Sequence, residues 1–193
     1  MRITGGGLRG RQLAGPADAR LRPTSDKARQ ALFNILVHND FGFGFSLEGA
    51  RVADLFAGTG ALGLEAISLG ARYCLFIDDA AESRALIRKN VETLELTGAT
   101  KIWRRDATQL GAMPVGSGGP FDLVFLDPPY RKNLVAPSLA SLLTGNWLIP
   151  KALLVVETSE KEQLTLPAGF SSLNARIYGD TRVEFLAARE SDA

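Results

Sequence analysis

The stretch RVADLFAGTGALGLEAISLG, residues 51–70, decides the fold. Arg51–Phe56 is apolar enough for a buried strand, the glycines at 58 and 60 turn the chain, and Ala61–Leu69 continues at helical spacing. A strand, a glycine turn and a helix in that order form the first half of a parallel crossover unit. Working outward, the same alternation repeats. Tyr73–Ile77 is expected as a strand, Ala80–Leu96 as a long helix, and Lys101–Arg104 as a short strand with a short helix near Ala107–Ala112. Phe121–Leu126 follows as a strand, Asn133–Leu143 as a helix, and Leu153–Glu157 as a strand. Two terminal strands, roughly Ser172–Tyr178 and Arg182–Ala188, meet at the turn Gly179-Asp180. The expected architecture is α/β: a doubly wound, mostly parallel, seven-stranded Rossmann-like sheet with a C-terminal antiparallel hairpin.

Upstream of this unit the pattern is different. Residues 1–22 open with Gly5-Gly6-Gly7 and interleave basic with apolar residues, which suggests a short strand or an extended arm, flexible unless something binds it. Arg22-Pro23-Thr24-Ser25 is a helix start, and Ala28, Ala31, Leu32, Ile35 and Leu36 mark the packing face of a helix over 26–38. Phe41, Phe43 and Phe45 suit a loop that covers the sheet. We expect a basic extension over 1–48 and a catalytic domain over 49–193.

The chain of 193 residues carries a net charge of +1, with 46% hydrophobic and 22% charged residues, as in ordinary soluble proteins. Its charge is uneven: in residues 1–31 Arg2, Arg9, Arg11, Arg20, Arg22, Lys27 and Arg29 face only Asp18 and Asp26. A basic arm on an acidic body suits a polyanionic partner. One cysteine, Cys74, and one histidine, His38, leave no Cys/His metal cluster and no Cys-His nucleophile pair, so no metal is expected. No apolar run approaches a membrane span, no secretory h-region opens the chain, and a reducing cytoplasm is the expected compartment.

Two motifs carry chemistry. Asp54-Leu55-Phe56-Ala57-Gly58-Thr59-Gly60 closes the first strand, where backbone can approach a ligand. Gly58 to Gly63 also satisfies the dinucleotide pattern GxGxxG, so a nicotinamide oxidoreductase has to be considered. Asp54, just before the turn, would repel a pyrophosphate but welcome an ammonium. Asp78-Asp79 after the second strand suits ribose hydroxyls, without deciding which of the two holds them. Asp106-Ala107 after the third offers an acceptor for an adenine amine. An amino-acid end, a ribose and an adenine make S-adenosylmethionine. The second motif, Asp127-Pro128-Pro129-Tyr130, leaves the sheet behind Leu123–Leu126. Proline cannot continue a ladder, so a carboxylate, stiff carbonyls and a ring are left at the edge, suited to a planar base amine.

DLFAGTGALGLEA (54–66), FID (76–78), RDA (105–107) and LDPPY (126–130) resemble motifs I to IV of class I amino-methyltransferases. RITGGGLRGRQL (2–13) and RPTSDKARQALFNIL (22–36) resemble the bacterial 16S rRNA guanine-N2 methyltransferase family (RsmD type). The resemblance runs over residues 2 to about 189. It implies S-adenosylmethionine-dependent methylation of a guanine exocyclic amine in small-subunit rRNA, within a particle, by a monomer. Asp78 departs from the Glu expected there.

On this basis Asp127 and the Pro128 carbonyl accept the two hydrogens of the target amine, Pro129 stiffens the turn, and Tyr130 stacks on the base. Asp54, Phe56, Ala57, Gly58, Thr59, Gly60, Asp78, Asp79, Asp106 and Ala107 are the expected cofactor residues. Arg2, Arg9, Arg11, Arg20, Arg22, Thr24, Lys27 and Arg29 are the expected RNA contacts. Cys74, Trp103 and Trp147 are assigned to packing, and His38 to a helix end. A DNA or RNA adenine-N6 methyltransferase is the alternative within the class, since DPPY serves there too. A dinucleotide-dependent oxidoreductase and a catalytically silent RNA-binding protein are the alternatives outside it.

Overall fold

The computed structural model describes residues 1–16, 26–130, 132–162 and 164–189. Seven strands form one sheet: β1 (Arg51–Leu55), β2 (Tyr73–Ile77), β3 (Thr100–Trp103), β4 (Phe121–Leu126), β5 (Leu148–Ser159), β6 (Phe170–Tyr178) and β7 (Thr181–Ala188). Their order is β3-β2-β1-β4-β5-β7-β6, with β7 antiparallel to both of its neighbours and the others parallel. Helices α1 (Asp26–His38), α2 (Ala61–Ser68), α3 (Ala81–Thr93) and α4 (Val135–Thr144) cover the two faces.

Strands β1, β2 and β4 read as continuous apolar runs because both of their faces are buried. On one face Val52, Phe76, Phe125, Val155 and Phe185 meet Leu32, Phe33 and Leu36 of α1 and Leu64 of α2. On the other, Leu55, Leu75, Val124 and Leu154 meet Leu139 and Leu142 of α4 together with Trp147. Gly63 lets α2 lie directly on β2, since a Cβ there would fall 2.4 Å from the Phe76 ring and 2.5 Å from the Cys74 sulfur. Phe41 packs on Phe185 with ring centroids 5.4 Å apart, so the Phe-Gly loop does cover the sheet. Trp147 is buried and stacked on Phe121, and Trp103 meets it edge-on. Cys74 is buried, as expected.

Two expectations are corrected. First, the arm over residues 1–16 is not a free tail. Arg2 and Gln12 form an antiparallel bridge, Ile3 N donates to Arg11 O, and Leu13 N donates to Met1 O. Ile3 (0% exposed) and Leu13 (6%) enter the same apolar cluster as the sheet. Gly6 touches α2 so closely that a Cβ there would lie 1.7 Å from the Ser68 carbonyl oxygen. A glycine required by close approach looks, in sequence, like a glycine that loosens the chain. Residues 17–25, with the expected helix cap, lie outside the described residues.

Second, the packing stripe of α1 is Arg29, Leu32, Phe33 and Leu36, an i, i+3, i+4, i+7 set with a charge inside it. Arg29 is 1% exposed. Its Nε donates to Glu65 Oε2 at 3.1 Å, and its Nη2 donates to Asp26 Oδ1 at 2.8 Å and to the Arg2 carbonyl. Glu65, fully buried in α2, also accepts from Thr4 N, Thr4 Oγ1 and Gly5 N. Arg29 is therefore a clamp between arm and body, buried away from any phosphate.

β5 begins five residues earlier than the alternation suggested. Pro150 and the left-handed Lys151 (φ 61°) interrupt its first half, which pairs only through Leu148 with Phe121.

Candidate active site

In a doubly wound sheet, ligands bind beyond the carboxyl ends of the strands where the strand order reverses, here between β1 and β4. A cleft of about 1950 Å³ opens there. That exceeds the roughly 300–1,000 Å³ of a small-molecule pocket and leaves room for a second reactant. Asp54, Phe56, Ala57, Gly58 and Thr59 enter it from β1, Asp78 and Asp79 from β2, Asp106 from β3, and Asp127, Pro128, Pro129 and Tyr130 from β4. The two motifs meet in one cleft. Gly60 turns into α2 behind it, and Ala107 is buried under Asp106.

Asp54 is 1% exposed, and its Oδ2 accepts from Gly63 N, at the N-terminus of α2, at 3.0 Å. Burial pushes its carboxyl up to about 8; the Gly63 N–H pulls the other way, and the Asp78 charge adds to the rise. Asp78 accepts from Gly58 N and from Ala80 N, each at 2.9 Å, and so shapes the glycine turn while it faces the cleft. Asp79 is exposed beside it. Asp106 caps the short turn after β3, accepting from Thr108 N at 2.8 Å and Thr108 Oγ1 at 2.7 Å. Phe56 holds a left-handed backbone (φ 57°), an unfavourable conformation for a ring-bearing residue and one that clusters at binding sites.

Asp127 is half-buried at the cleft wall, and its carboxyl is pushed well up by burial first, then by the charges of Glu157 and Asp54. Tyr130 is 43% exposed, so its ring is presented to the cleft, while its hydroxyl is held 2.9 Å from Thr181 Oγ1 and 3.4 Å from Glu157 Oε1.

Of the expected RNA contacts, Arg2, Arg9, Arg11 and Lys27 are exposed. Lys27 lines the cleft, Arg11 donates to the Thr93 carbonyl at 2.8 Å, and Arg2 lies 3.8 Å from Asp26. Arg29 is excluded by its burial. Arg20, Arg22 and Thr24 lie outside the described residues.

Four residues were not singled out from the sequence. Glu157, at the end of β5, and the exposed Lys132 and Lys161 line the cleft. Asn90, buried on α3, donates to Thr59 O of the glycine loop at 2.9 Å while exchanging bonds with Ala14 N and Ala14 O. It ties the arm to the cofactor motif. A strand-end acid level with Asp127 was the available clue to Glu157; the other three stand alone in sequence. Among the described residues no His/Cys/Asp/Glu group could hold a metal, and no helix is long and apolar enough to cross a membrane.

The sheet order with an antiparallel β7 between β5 and β6, and the two motifs across the switch point, define the methyltransferase variant of the Rossmann-like fold. The simple dinucleotide-binding order would run 3-2-1-4-5-6. Residues 1–187 match the family described as conserved hypothetical protein 95, and the chain belongs to that family. It is 37% identical to ribosomal RNA small subunit methyltransferase D of Escherichia coli K12, over 100% of this chain and 94% of that protein. The protein of that name from Haemophilus influenzae is 32% identical over 93% of this chain and 89% of its own length. The solved structure of yhhF from Escherichia coli superposes with a TM-score of 0.81 at 31% identity, covering 98% of both chains.

Proposed function

We propose that this protein transfers a methyl group from S-adenosylmethionine to the exocyclic N2 amine of a guanine in 16S rRNA of the small ribosomal subunit, acting as a monomer in the cytoplasm. The observation that carries the reading is the meeting of the glycine turn and Asp127-Pro128-Pro129-Tyr130 in one cleft larger than a cofactor needs. The relatives named ribosomal RNA small subunit methyltransferase D supply the nucleic acid.

The donor set of the cleft fits S-adenosylmethionine. Asp54, buried with its carboxyl pushed up to about 8, would take the ammonium as its cationic partner. Asp78 and Asp79 would hold the ribose hydroxyls, Asp106 and Ala107 the adenine, and Phe56, Ala57, Gly58, Thr59 and Gly60 would supply the backbone turn around the ligand. When bound, the cofactor supplies a methyl group already activated on a sulfonium. The chain's own residues then orient the acceptor. A base amine is a poor nucleophile because its lone pair is conjugated into the ring. Asp127 and the Pro128 carbonyl accept its two N–H bonds, which favours a pyramidal nitrogen with its lone pair free. The rigid Pro129 keeps that carbonyl in place, and Tyr130 stacks on the base with its hydroxyl pinned to Thr181. After transfer the nitrogen sheds one proton, and the Asp127 carboxylate is the acceptor beside it. Residues 1–48 act as the RNA-facing extension, with Arg2, Arg9, Arg11 and Lys27 meeting phosphates, joined by Arg20, Arg22 and Thr24.

Calorimetry tests the cofactor: S-adenosylhomocysteine should bind and NAD should not. Methyl transfer to small-subunit particles from cells lacking the protein tests the acceptor. Binding of NAD alone, or transfer only to adenine amines, would overturn the reading.

A further inference from the structure

We propose that Asn90 makes the docked arm part of the cofactor site: it is a positioning residue through which bound S-adenosylmethionine and the docking of residues 1–16 stabilise each other. The inference rests on the cofactor reading above and deepens it, by giving the glycine turn a support that lies outside the cleft.

Asn90 sits in the interior of α3, where asparagine is a poor helix former, and it is 1% exposed. A side-chain amide offers two N–H donors and one carbonyl oxygen, and here all three are engaged. Its Nδ2 donates to Ala14 O at 3.1 Å and to Thr59 O at 2.9 Å, while its Oδ1 accepts from Ala14 N at 2.7 Å. These partners fix the orientation of the amide, since a flipped group would set its oxygen against two carbonyls. Asn90 thus pairs with the Ala14 peptide as a neighbouring strand would, and turns its second N–H to the glycine turn.

That second bond falls on a carbonyl whose helical donor is engaged elsewhere. The amide four residues after Thr59 is Gly63 N, which donates to Asp54 Oδ2 at 3.0 Å. Gly58 and Gly60 on either side of Thr59 are left-handed, at φ 56° and 76°, so no regular ladder holds its peptide. Asp78 grips the turn at Gly58 N, and Asn90 grips it at Thr59 O. Thr59 lines the cleft, and Pro16, two residues beyond Ala14, lines it too.

Arm and cofactor motif therefore meet at one buried amide. With the arm lifted, Asn90 loses both bonds to Ala14, its amide is free to rotate, and Thr59 O is no longer held. A ligand that needs the turn in place then binds less tightly. Linkage makes the effect reciprocal: the factor that docking adds to cofactor affinity is the factor that cofactor adds to docking. It is set by about one buried hydrogen bond, roughly three- to tenfold.

The test is calorimetry of S-adenosylhomocysteine with full-length wild type, Gly6→Ala, Asn90→Leu and the double variant. Neither residue lines the cleft. A Cβ on residue 6, at φ 72°, would lie 1.7 Å from the Ser68 carbonyl oxygen, so Gly6→Ala lifts the arm without touching the turn. Each single variant should bind roughly three- to tenfold more weakly than wild type, and the double variant no more weakly than Asn90→Leu. Losses that multiply overturn the inference. So does a Gly6→Ala protein that binds like wild type although its Thr4, Gly5 and Ala14 amides exchange freely. Should a variant fail to fold, wild type alone decides. Thr4, Gly5 and Ala14 donate their amides from the arm to the body. Saturating S-adenosylhomocysteine should slow their exchange, and the slowing should level off at that same factor as ligand is raised further. Exchange that ignores the ligand, or that slows without levelling off, overturns the inference and leaves the proposed function standing. Wild type that fails to bind S-adenosylhomocysteine at all overturns the proposed function itself.

Discussion

Replacing Glu65 with Ala should cost about 3–5 kcal/mol of stability, as two estimates agree. Glu65 is 0% exposed, and it accepts from Thr4 N at 2.9 and 3.0 Å, Thr4 Oγ1 at 2.7 Å, Gly5 N at 2.7 Å and Arg29 Nε at 3.1 Å. If the arm stays docked without the carboxylate, a buried guanidinium loses its main counter-charge, which typically costs about 3–5 kcal/mol. Asp26 and the Arg2 carbonyl still hold that guanidinium, which favours the lower end. If the arm instead lifts off, Ile3 and Leu13 leave the core at about 1.5–3 kcal/mol each. Either route removes a large part of a total stability of roughly 5–15 kcal/mol. Denaturant unfolding measures the loss, and amide exchange at Thr4, Gly5 and Leu8 shows whether the arm has opened. The double replacement Arg29→Met, Glu65→Leu should recover only the part of the loss owed to the orphaned charge, because Thr4 N, Thr4 Oγ1 and Gly5 N still lose their acceptor. A cost below about 1 kcal/mol for Glu65→Ala, with those amides still protected, would refute the clamp. Removing residues 1–13 should likewise destabilise the fold, contrary to what a glycine-rich basic tail suggests.

Asp54 should make cofactor-product affinity depend on pH. Its carboxyl titrates near 8 in the folded protein against 3.8 ordinarily, so its contribution to stability is full below about 4 and is lost as pH rises to 8. Ligand ammonium favours the ionised form, so S-adenosylhomocysteine binding should release a proton and tighten as pH climbs toward 8. Calorimetry in buffers of different ionisation heat reads that proton, and Asp54→Asn should abolish its release. Asp78→Ala should weaken S-adenosylhomocysteine by roughly 1–3 kcal/mol in calorimetry, since ribose hydroxyls and the Gly58 and Ala80 N–H groups lose their acceptor. Unchanged affinity would point to Asp79. Arg9→Glu with Lys27→Glu should weaken RNA binding and flatten its log–log salt dependence by roughly 0.7–0.9 for each phosphate no longer neutralised. A salt slope equal to wild type would mean that neither side chain meets the RNA backbone.

The sheet and the two motifs were legible because each rests on a local signal: apolar runs set by burial on two faces, and breaker residues where strands leave the sheet. The arm was not. Gly6 is required by the Ser68 carbonyl, and nothing near Gly6 in sequence reveals a partner more than sixty residues away. Arg29 was misread for the same reason, since its acceptor Glu65 lies on another helix. Glu157 acquires meaning only from the register that sets β5 beside β4. Local chemistry could be read from the chain, whereas long-range pairing required the fold.

The most direct measurement is mass mapping of methylated nucleosides in 16S rRNA from cells lacking the protein, then supplied with wild type or Asp127→Ala. The account predicts that one N2-methylguanosine disappears in the deletion, returns with wild type, and stays absent with Asp127→Ala although that variant still binds S-adenosylhomocysteine. An rRNA whose N2-methylguanosine content ignores the deletion, or is restored by Asp127→Ala, would contradict it.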